Sequence, residues 1–302
     1  MASTARFEGI LPAVVTPFDE ACRFWPAAFE RLLAALYGAG VHGVYVCGST
    51  GEGLLTPTAE RMRVAEAAVR WSPPGKLVIV HVGAERLEDA VELARHAERT
   101  GASAVSALPP LDGRPAEEIY LYYKTLSAAT GLPFLVYYFP AVCPSIADEG
   151  RLADLLALPN VIGLKFTDFN LYRLSLLRRR GAVVFNGHDE VLAAGLLMGA
   201  SGGIGSFYNL VPELLLRVYE LARAGRWEET RPVQADINEL VEIGLRFPPL
   251  PALKLMLAWS GLDCGGCMPA HRPLTAEEEG QLRALLAQSS LAGKRFAGLR
   301  IE

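Results

Sequence analysis

The chain has 302 residues, of which 51% are hydrophobic and 21% are charged, and its formal net charge is −4. This composition excludes intrinsic disorder, which requires low hydrophobicity and high net charge, and it excludes the broad basic surface that nucleic acid or an anionic membrane would need. The length corresponds to about two domains, or to one barrel of roughly 250 residues with an appendage. Only five of the 29 basic residues are lysines: Lys76, Lys124, Lys165, Lys254 and Lys294.

The N-terminal sequence and the cysteines indicate a reducing compartment. The first eight residues contain no apolar stretch of the kind that follows the basic start of a secretory leader, and no run reaches the ~18 apolar residues of a membrane span. Five cysteines do not form a paired framework. Cys264 and Cys267 form one CxxC motif, which we interpret as a tight turn, with a redox dithiol or half of a zinc site as the alternative. We therefore expect a cytoplasmic protein.

Eight short apolar runs, most of them rich in β-branched residues, alternate with helical patterns along residues 1–224. The runs cover residues 10–15, 43–47, 77–82, 102–108, 133–139, 161–166, 182–185 and 202–206. The first helix is predicted to begin at Pro26, the second to be capped at Thr56 and Pro57, and the third to end at Gly101. Nearly continuous apolar strands are typical of parallel strands covered on both faces. Eight such units predict a (β/α)8 barrel, and a doubly wound open sheet is the alternative.

Residues 225–302 are predicted to form a helical extension without further strands. Residues 226–245, 250–260 and 275–286 have helical patterns, and Thr275 with Glu278 matches a capping box at the start of the third helix. Lys254 falls in the second of these helices. We expect it to lie far from the barrel mouth as a solvated or paired residue.

Lys165 interrupts the sixth apolar run, where a lysine is unusual. In a (β/α)8 barrel the reacting groups come from the C-terminal ends of the strands. An amine that points into a dry barrel interior is desolvated, which lowers its pKa, and a free amine can attack a ketone to form a Schiff base. The alternative is a lysine whose stem packs in the wall while its amine reaches solvent. We interpret Lys165 as a nucleophile.

Tyr137 and Tyr138 end the fifth run, directly before Phe139. Beside a Schiff-base lysine, a tyrosine hydroxyl can carry protons to and from the substrate; the alternative is amphipathic packing at a strand end. Consecutive strand residues face opposite sides of a sheet, so only one of the two tyrosines can face the barrel centre.

Polar segments follow two further strands. The glycine-rich turn (residues 48–53) presents successive backbone N–H groups and two hydroxyls, an arrangement suited to a small carboxylate; a purely structural turn is the alternative. Asp189 and Glu190 either accept hydrogen bonds from a polyhydroxylated substrate or favour a helix N-terminus, and His188 beside them is expected to pack as an ordinary polar residue. Since no set of Asp, Glu and His has metal-ligand spacing, we predict a site without metal or cofactor.

The order of these motifs resembles a known family. Residues 9–18 (GILPAVVTPF), the glycine-rich turn, Tyr-x-x-Pro at 137–140 and Gly-Leu-Lys at 163–165 look like the pyruvate-dependent class I aldolase superfamily, which contains dihydrodipicolinate synthase and N-acetylneuraminate lyase. The resemblance runs from about residue 7 to residue 290. It implies a (β/α)8 barrel with a helical extension, usually assembled as a tetramer. It also implies that Lys165 forms a Schiff base with pyruvate, that Tyr137 is the proton shuttle, and that Ser49 and Thr50 hold the pyruvyl carboxylate.

Finer features are similar to the N-acetylneuraminate lyase branch of this superfamily. Dihydrodipicolinate synthases carry an arginine shortly after Tyr-x-x-Pro, but residues 137–144 contain none, and residues 108–111 (LPPL) stand where those enzymes have a tyrosine pair. Tyr138 occupies a position where asparagine is common. Carried over by position, the sugar-acid site would consist of Thr167, Gly187, Asp189, Glu190 and Ser206, with the acidic pair at the polyol tail.

The resemblance implies small-molecule substrates and reversible cleavage of a sialic acid to an N-acylated sugar and pyruvate. The alternatives are a 2-keto-3-deoxy sugar-acid aldolase or dehydratase, a dihydrodipicolinate synthase, and a non-catalytic sugar-acid sensor built on the same barrel.

Overall fold

Eight parallel strands form a single sheet in the computed structural model, which describes residues 7–110 and 113–301 except for the side chain of Glu149. The strands are β1 (Gly9–Pro12), β2 (Gly43–Val46), β3 (Leu77–His81), β4 (Ala104–Ala107), β5 (Phe134–Tyr138), β6 (Val161–Phe166), β7 (Val183–Asn186) and β8 (Gly202–Gly205). The sheet runs in the order β1-β8-β7-β6-β5-β4-β3-β2. A hydrogen bond of 2.9 Å from the Val14 amide to the Tyr45 carbonyl brings the two ends together. The barrel prediction is confirmed, and the open-sheet alternative is wrong.

Helices follow the strands and continue beyond the barrel. They are α1 (Pro26–Gly38), α2 (Thr58–Trp71), α3 (Leu87–Thr100), α4 (Ala116–Ala128), α5 (Glu149–Leu156), α6 (Leu171–Arg179), α7 (Leu192–Leu197), α8 (Pro212–Arg223), α9 (Trp227–Leu245), α10 (Pro249–Trp259) and α11 (Ala276–Ala287). The predicted left-handed end of α3 at Gly101 and the capping box of α11 are both present. The predicted cap of α2 is only partly right, because the Thr56 hydroxyl donates to the Glu52 carbonyl and caps no helix amide. Within the described residues, no helix is both long and apolar enough to cross a membrane.

Strand alternation separates two apolar clusters. One fills the barrel interior and includes Leu135 on β5 and Phe185 on β7. The other lies between the sheet and the helices and includes Val136 and Tyr138 from β5 and both neighbours of Lys165 on β6. Because side chains alternate along a strand, Tyr137 and Lys165 project into the interior at the C-terminal end of the barrel, where β5 and β6 pair them directly.

Two of the three C-terminal helices, α9 and α10, contact the mouth of the barrel. On α9, Gln234 Nε2 donates to the Asp189 carbonyl at 3.0 Å. On α10, Lys254 is only 3% exposed, and its Nζ lies 2.8 Å from Glu52 Oε1 in the glycine-rich turn. The expectation that Lys254 is paired is confirmed, but the expectation that it lies far from the barrel mouth is wrong.

A methyl group at Gly202 should destabilise the barrel where β8 meets β1. A Cβ at this position would lie 1.9 Å from the Gly9 carbonyl oxygen, so the two strands would have to separate. We expect Gly202→Ala to lower the free energy of unfolding by about 1–3 kcal/mol or more. Gly280 of α11 is the matched control, because an added Cβ there meets no described atom within 4 Å and helical alanine is more stable than glycine by about 0.5–1 kcal/mol. Urea unfolding of both variants tests this, and equal stability of Gly202→Ala and wild type would contradict it.

Candidate active site

Lys165 lies inside the barrel at the C-terminal end of β6, with 4% of its surface exposed. Its Nζ is 4.0 Å from the ring centre of Tyr137 and 4.7 Å from that of Tyr45. Among the described residues, the ion pairs of lysines involve Lys254 and Lys294, and none involves Lys165. The amine is therefore held against aromatic faces, and the alternative in which it reaches bulk solvent is wrong.

Tyr137 is the tyrosine of the pair that faces the centre. Its ring stacks on Phe139 at 6.0 Å between centroids and meets the ring of His81 edge-on. Burial opposes ionisation of its hydroxyl, but the positive charge of Lys165 and the nearby Ser49 hydroxyl bring the pKa of Tyr137 below its usual value. A phenol with a lowered pKa beside an amine is suited to proton transfer.

Tyr138 lies on the opposite side of β5. Its ring stacks on Phe166 at 4.9 Å, and its hydroxyl accepts a hydrogen bond from Arg173 on α6. It packs between the sheet and the helices, so the position where asparagine is common in the family lies outside the barrel interior.

The glycine-rich turn presents unpaired donors at the barrel mouth. Within the described residues, the backbone N–H groups of Ser49 and Thr50 donate to no acceptor. The Ser49 side chain is exposed toward a cavity, whereas Thr50 is buried and its Oγ1 lies 2.6 Å from Ser206 Oγ at the end of β8. Successive free N–H groups with adjacent hydroxyls form a concave anion site. The three predicted residues Ser49, Thr50 and Ser206 are thus brought together.

Thr167 and Gly187 are adjacent at the ends of β6 and β7. Thr167 Oγ1 is buried and makes no hydrogen bond of standard geometry within the described part of the chain, although it lies close enough to the Tyr137 hydroxyl to help lower its pKa. A Cβ at Gly187 would lie 2.2 Å from that oxygen, so only glycine leaves the Thr167 hydroxyl room. A buried hydroxyl that lacks a well-formed hydrogen bond is costly, and a substrate oxygen could supply that bond.

Asp189 and Glu190 occupy different environments after β7. Asp189 is buried, accepts a hydrogen bond of 2.8 Å from the Phe207 amide, and has its pKa raised to about 7 because burial disfavours the carboxylate. Glu190 is partly exposed, and His188, whose Nδ1 lies 3.7 Å from Glu190 Oε2, lowers the pKa of this carboxyl group. His188 also stacks on Phe169, with 4.0 Å between the ring centroids. The predicted acidic pair therefore offers one readily protonated group and one stable carboxylate.

Sequence reasoning missed two polar residues of the interior. Tyr45 borders the Lys165 amine, and its hydroxyl donates to Ser106 at 3.1 Å. His81 Nε2 accepts the Leu108 amide at 2.8 Å, and burial lowers the pKa of this imidazole well below its usual value, which keeps it neutral. Both residues interrupt apolar runs at strand ends, the same signal that identified Lys165.

A mostly apolar cavity of about 630 Å³ opens beside Ser49. Its apolar lining comes from the loops after β2, β3, β4 and β5 and from the start of α10: Gly53, Leu54, Leu55, Ala84, Leu108, Pro109, Pro110, Phe139, Val142 and Leu250. Leu111, the last residue of the unusual segment at 108–111, lies outside the described residues. The outer part of the site therefore combines an acidic side at β7 with an apolar side at β2 to β5.

The described residues offer little support for a metal site or for a redox role of the CxxC cysteines. They contain no cluster of three or more His, Cys, Asp or Glu side chains that could hold a metal ion, and the cofactor-free site remains a prediction. Cys264 and Cys267 are free, and burial raises the pKa of each to about 12, so neither is a ready thiolate. Gly265 between them has a left-handed φ of 67°, in agreement with the tight-turn interpretation.

Residues 6–289 match the dihydrodipicolinate synthetase family. The chain belongs to this family. Its relative in Rhizobium meliloti (strain 1021), an N-acetylneuraminate lyase, is 35% identical over 285 residues, which is 93% of either chain. A catalytic lysine mutant of Ruminococcus gnavus sialic acid aldolase superposes with a TM-score of 0.89 at 27% identity, over 94% of this chain and 96% of the other. N-acetylneuraminate lyase from Fusobacterium nucleatum, complexed with pyruvate, superposes with a TM-score of 0.86 at 26% identity, over 95% of this chain and 98% of the other.

The resemblance seen in the motifs is therefore confirmed at the level of the family. The 35% identical relative supports the lyase branch, and the structural neighbours share the barrel and its helical extension across nearly the whole chain.

Titration of Asp189 should make stability depend on pH. Its pKa of about 7 in the folded protein is higher than the ~3.9 of an unfolded aspartate, so its protonated form favours the folded state. The resulting stability is present in full below about pH 4 and is lost as the pH rises to about 7. We expect the difference in unfolding free energy between wild type and Asp189→Asn to change over this range and to level off above it. Urea unfolding at a series of pH values measures the difference, and a constant difference would contradict the assignment.

Proposed function

We propose that this member of the dihydrodipicolinate synthetase family is a carbon–carbon lyase that reversibly cleaves N-acetylneuraminate to N-acetylmannosamine and pyruvate. The observation that carries this proposal is the buried amine of Lys165 beside the Tyr137 ring, at a barrel mouth that also holds an anion site and an acidic pair. The names of the relatives support it: an N-acetylneuraminate lyase, a sialic acid aldolase with a catalytic lysine, and a lyase complexed with pyruvate.

Lys165 starts the reaction by attacking the C2 ketone of the open-chain sugar acid. Loss of water from the carbinolamine gives an iminium, which is an electron sink. Tyr137 accepts the proton of the C4 hydroxyl as the C3–C4 bond breaks, and the bonding pair moves into the iminium to form an enamine. N-acetylmannosamine leaves as the aldehyde. Protonation of the enamine carbon and addition of water then release pyruvate and restore the Lys165 amine.

The remaining predicted residues would bind the two ends of the substrate. Ser49 and Thr50 would hold the carboxylate through their free backbone N–H groups and their hydroxyls. The other end, with its hydroxyls, would lie against Thr167, Gly187, Asp189, Glu190 and Ser206. Glu190 would accept hydrogen bonds as a carboxylate, since His188 lowers its pKa.

Borohydride reduction in the presence of pyruvate tests the Schiff base. We expect a carboxyethyl group on Lys165, because reduction of the imine fixes the carbon skeleton of pyruvate to the amine. Lys165→Ala should abolish both the adduct and turnover, whereas Lys294→Ala, a substitution of a partly exposed lysine, should change neither. Peptide mass spectrometry locates the adduct. Folded wild type without an adduct would exclude the mechanism. An adduct without pyruvate release from N-acetylneuraminate would point to a different sugar-acid substrate or to a sugar-acid sensor.

Glu190→Gln tests the assignment of the polyol end. Hydrogen bonds to a charged group are worth about 1.5–3 kcal/mol, so we expect the KM for N-acetylneuraminate to rise about tenfold or more. The pyruvate concentration that half-saturates the Lys165 adduct should not change, because pyruvate lacks the polyol. Steady-state kinetics and borohydride trapping measure the two quantities, and an equal loss in both would place Glu190 at the carboxylate end instead.

The apolar side of the outer cavity favours a second candidate with the same chemistry. A wall that includes Pro109, Pro110 and Val142 offers few hydrogen bonds to a long polyol, so the chain could act on a shorter 2-keto-3-deoxy sugar acid as aldolase or dehydratase. Condensation of pyruvate with glyceraldehyde in preference to N-acetylmannosamine would favour this candidate. Dihydrodipicolinate synthase is a weaker candidate, since no arginine follows Tyr-x-x-Pro in residues 137–144.

We further propose a homotetramer in the cytoplasm, without nucleic-acid or membrane partners. The family resemblance supports the tetramer, as do the exposed apolar side chains Leu54, Leu55 and Val142 at the barrel mouth, which a neighbouring subunit could cover. None of the five cysteines forms a disulfide within the described residues, which supports a reducing compartment.

A further inference from the structure

Glu52 is a fully buried carboxylate in the glycine-rich turn. Its Oε1 accepts a hydrogen bond of 2.8 Å from Lys254 Nζ on α10, and its Oε2 accepts one of 2.7 Å from the Met268 amide. Lys254 Nζ also donates to the Gly266 carbonyl at 2.7 Å. The C-terminal extension thus supplies both the charge and the backbone amide that bind this carboxylate.

The backbone of Glu52 is coupled to the proposed carboxylate-binding residues. Its φ is 54°, a left-handed conformation that residues other than glycine rarely adopt unless their surroundings enforce it. Its amide donates to the Ser49 carbonyl at 3.0 Å, and its own carbonyl accepts the Thr56 hydroxyl at 2.8 Å. A change in the position of Glu52 is therefore passed directly to Ser49 and Thr50.

The pair is also shielded from water. The side chains of Lys254 and Glu52 are 3% and 0% exposed, and the Lys254 Nζ lies 4.5 Å above the ring of Phe18. Coulomb attraction is strong where water is excluded, and removal of one partner leaves the other charge buried and uncompensated. The pair is thus able to hold the turn in its left-handed conformation.

We propose that Lys254 and Glu52 are positioning residues that set the geometry of the Ser49–Thr50 anion site, so that pyruvate affinity depends on the helical extension. The inference rests on the proposed function for the identity of the ligand. A purely structural pair would stabilise the fold without affecting one ligand group more than another. A positioning pair acts on the carboxylate of the ligand and leaves the chemistry of the ketone unchanged.

The test compares Lys254→Met, Glu52→Gln and the double variant with wild type, and uses Lys294→Met as the matched control. Lys294 belongs to the same extension and is paired with Asp236, but it is 45% exposed. The first measurement is the concentration of pyruvate that half-saturates the borohydride adduct on Lys165. The second is the trapping of acetone, which offers a ketone without a carboxylate. Thermal unfolding is recorded for every variant.

We expect each single variant to raise the half-saturating pyruvate concentration about tenfold or more, since small misplacements of binding groups have large effects. Trapping of acetone should remain within about twofold of wild type, and Lys294→Met should match wild type in both measurements. The double variant leaves no buried charge, so we expect it to regain thermal stability without regaining pyruvate affinity.

Other outcomes separate this inference from the proposed function. If wild type traps no pyruvate on Lys165, the proposed function fails and this inference fails with it. If wild type traps pyruvate but the variants retain its half-saturation, only the positioning role is overturned. If a variant lost as much trapping of acetone as of pyruvate, the pair would serve the fold as a whole and the positioning role would be overturned. A double variant that does not fold would lead to the same conclusion.

Discussion

The burial of the Lys165 amine within the barrel is the constraint on which the rest of the site depends. A cation removed from water is costly unless it is compensated, and no described carboxylate pairs with it. The faces of Tyr137 and Tyr45 supply part of that compensation through their negative π-systems. The same contact brings the polar end of Tyr137 under the influence of the lysine charge, which lowers the pKa of its hydroxyl. One arrangement thus places the Lys165 amine and the proposed proton carrier side by side.

The fold and the centre of the site could be predicted because their signals are local. Apolar runs about 27 residues apart indicate eight βα units, and the side-chain alternation of a strand requires that only one of Tyr137 and Tyr138 face the interior. Lys165 stands out because a charged residue is rarely buried in an apolar strand unless it has a partner or a function. Tyr45 and His81 carry a weaker form of the same signal, since tyrosine and neutral histidine are common in cores.

The remaining features depend on contacts between distant parts of the chain. Lys254 lies between apolar neighbours on α10, and its partner Glu52 is 202 residues away, so nothing near it in the sequence indicates where its amine is bound. The Thr56 hydroxyl had two possible partners: a helix amide, from which it could accept a hydrogen bond, and the Glu52 carbonyl, to which it donates in the structure. The second partner belongs to a turn whose left-handed backbone at Glu52 the sequence does not reveal. The pKa of Asp189 likewise follows from its burial against the start of the segment after β8, which its sequence neighbours do not reveal.

The proposed division into a barrel of residues 1–224 and an extension of residues 225–302 describes the order of elements better than it describes the site. Gln234 on α9 binds the carbonyl of Asp189, at the end of the site proposed for the polyol. Lys254 on α10 binds Glu52, in the turn proposed for the carboxylate. The extension therefore contacts both ends of the proposed substrate site, while Lys165 and Tyr137 between them lie on the paired strands β5 and β6. Because the extension contacts the two ends of the site and the strands carry the reacting groups, substitutions in the extension could alter substrate binding while the Schiff-base chemistry is preserved.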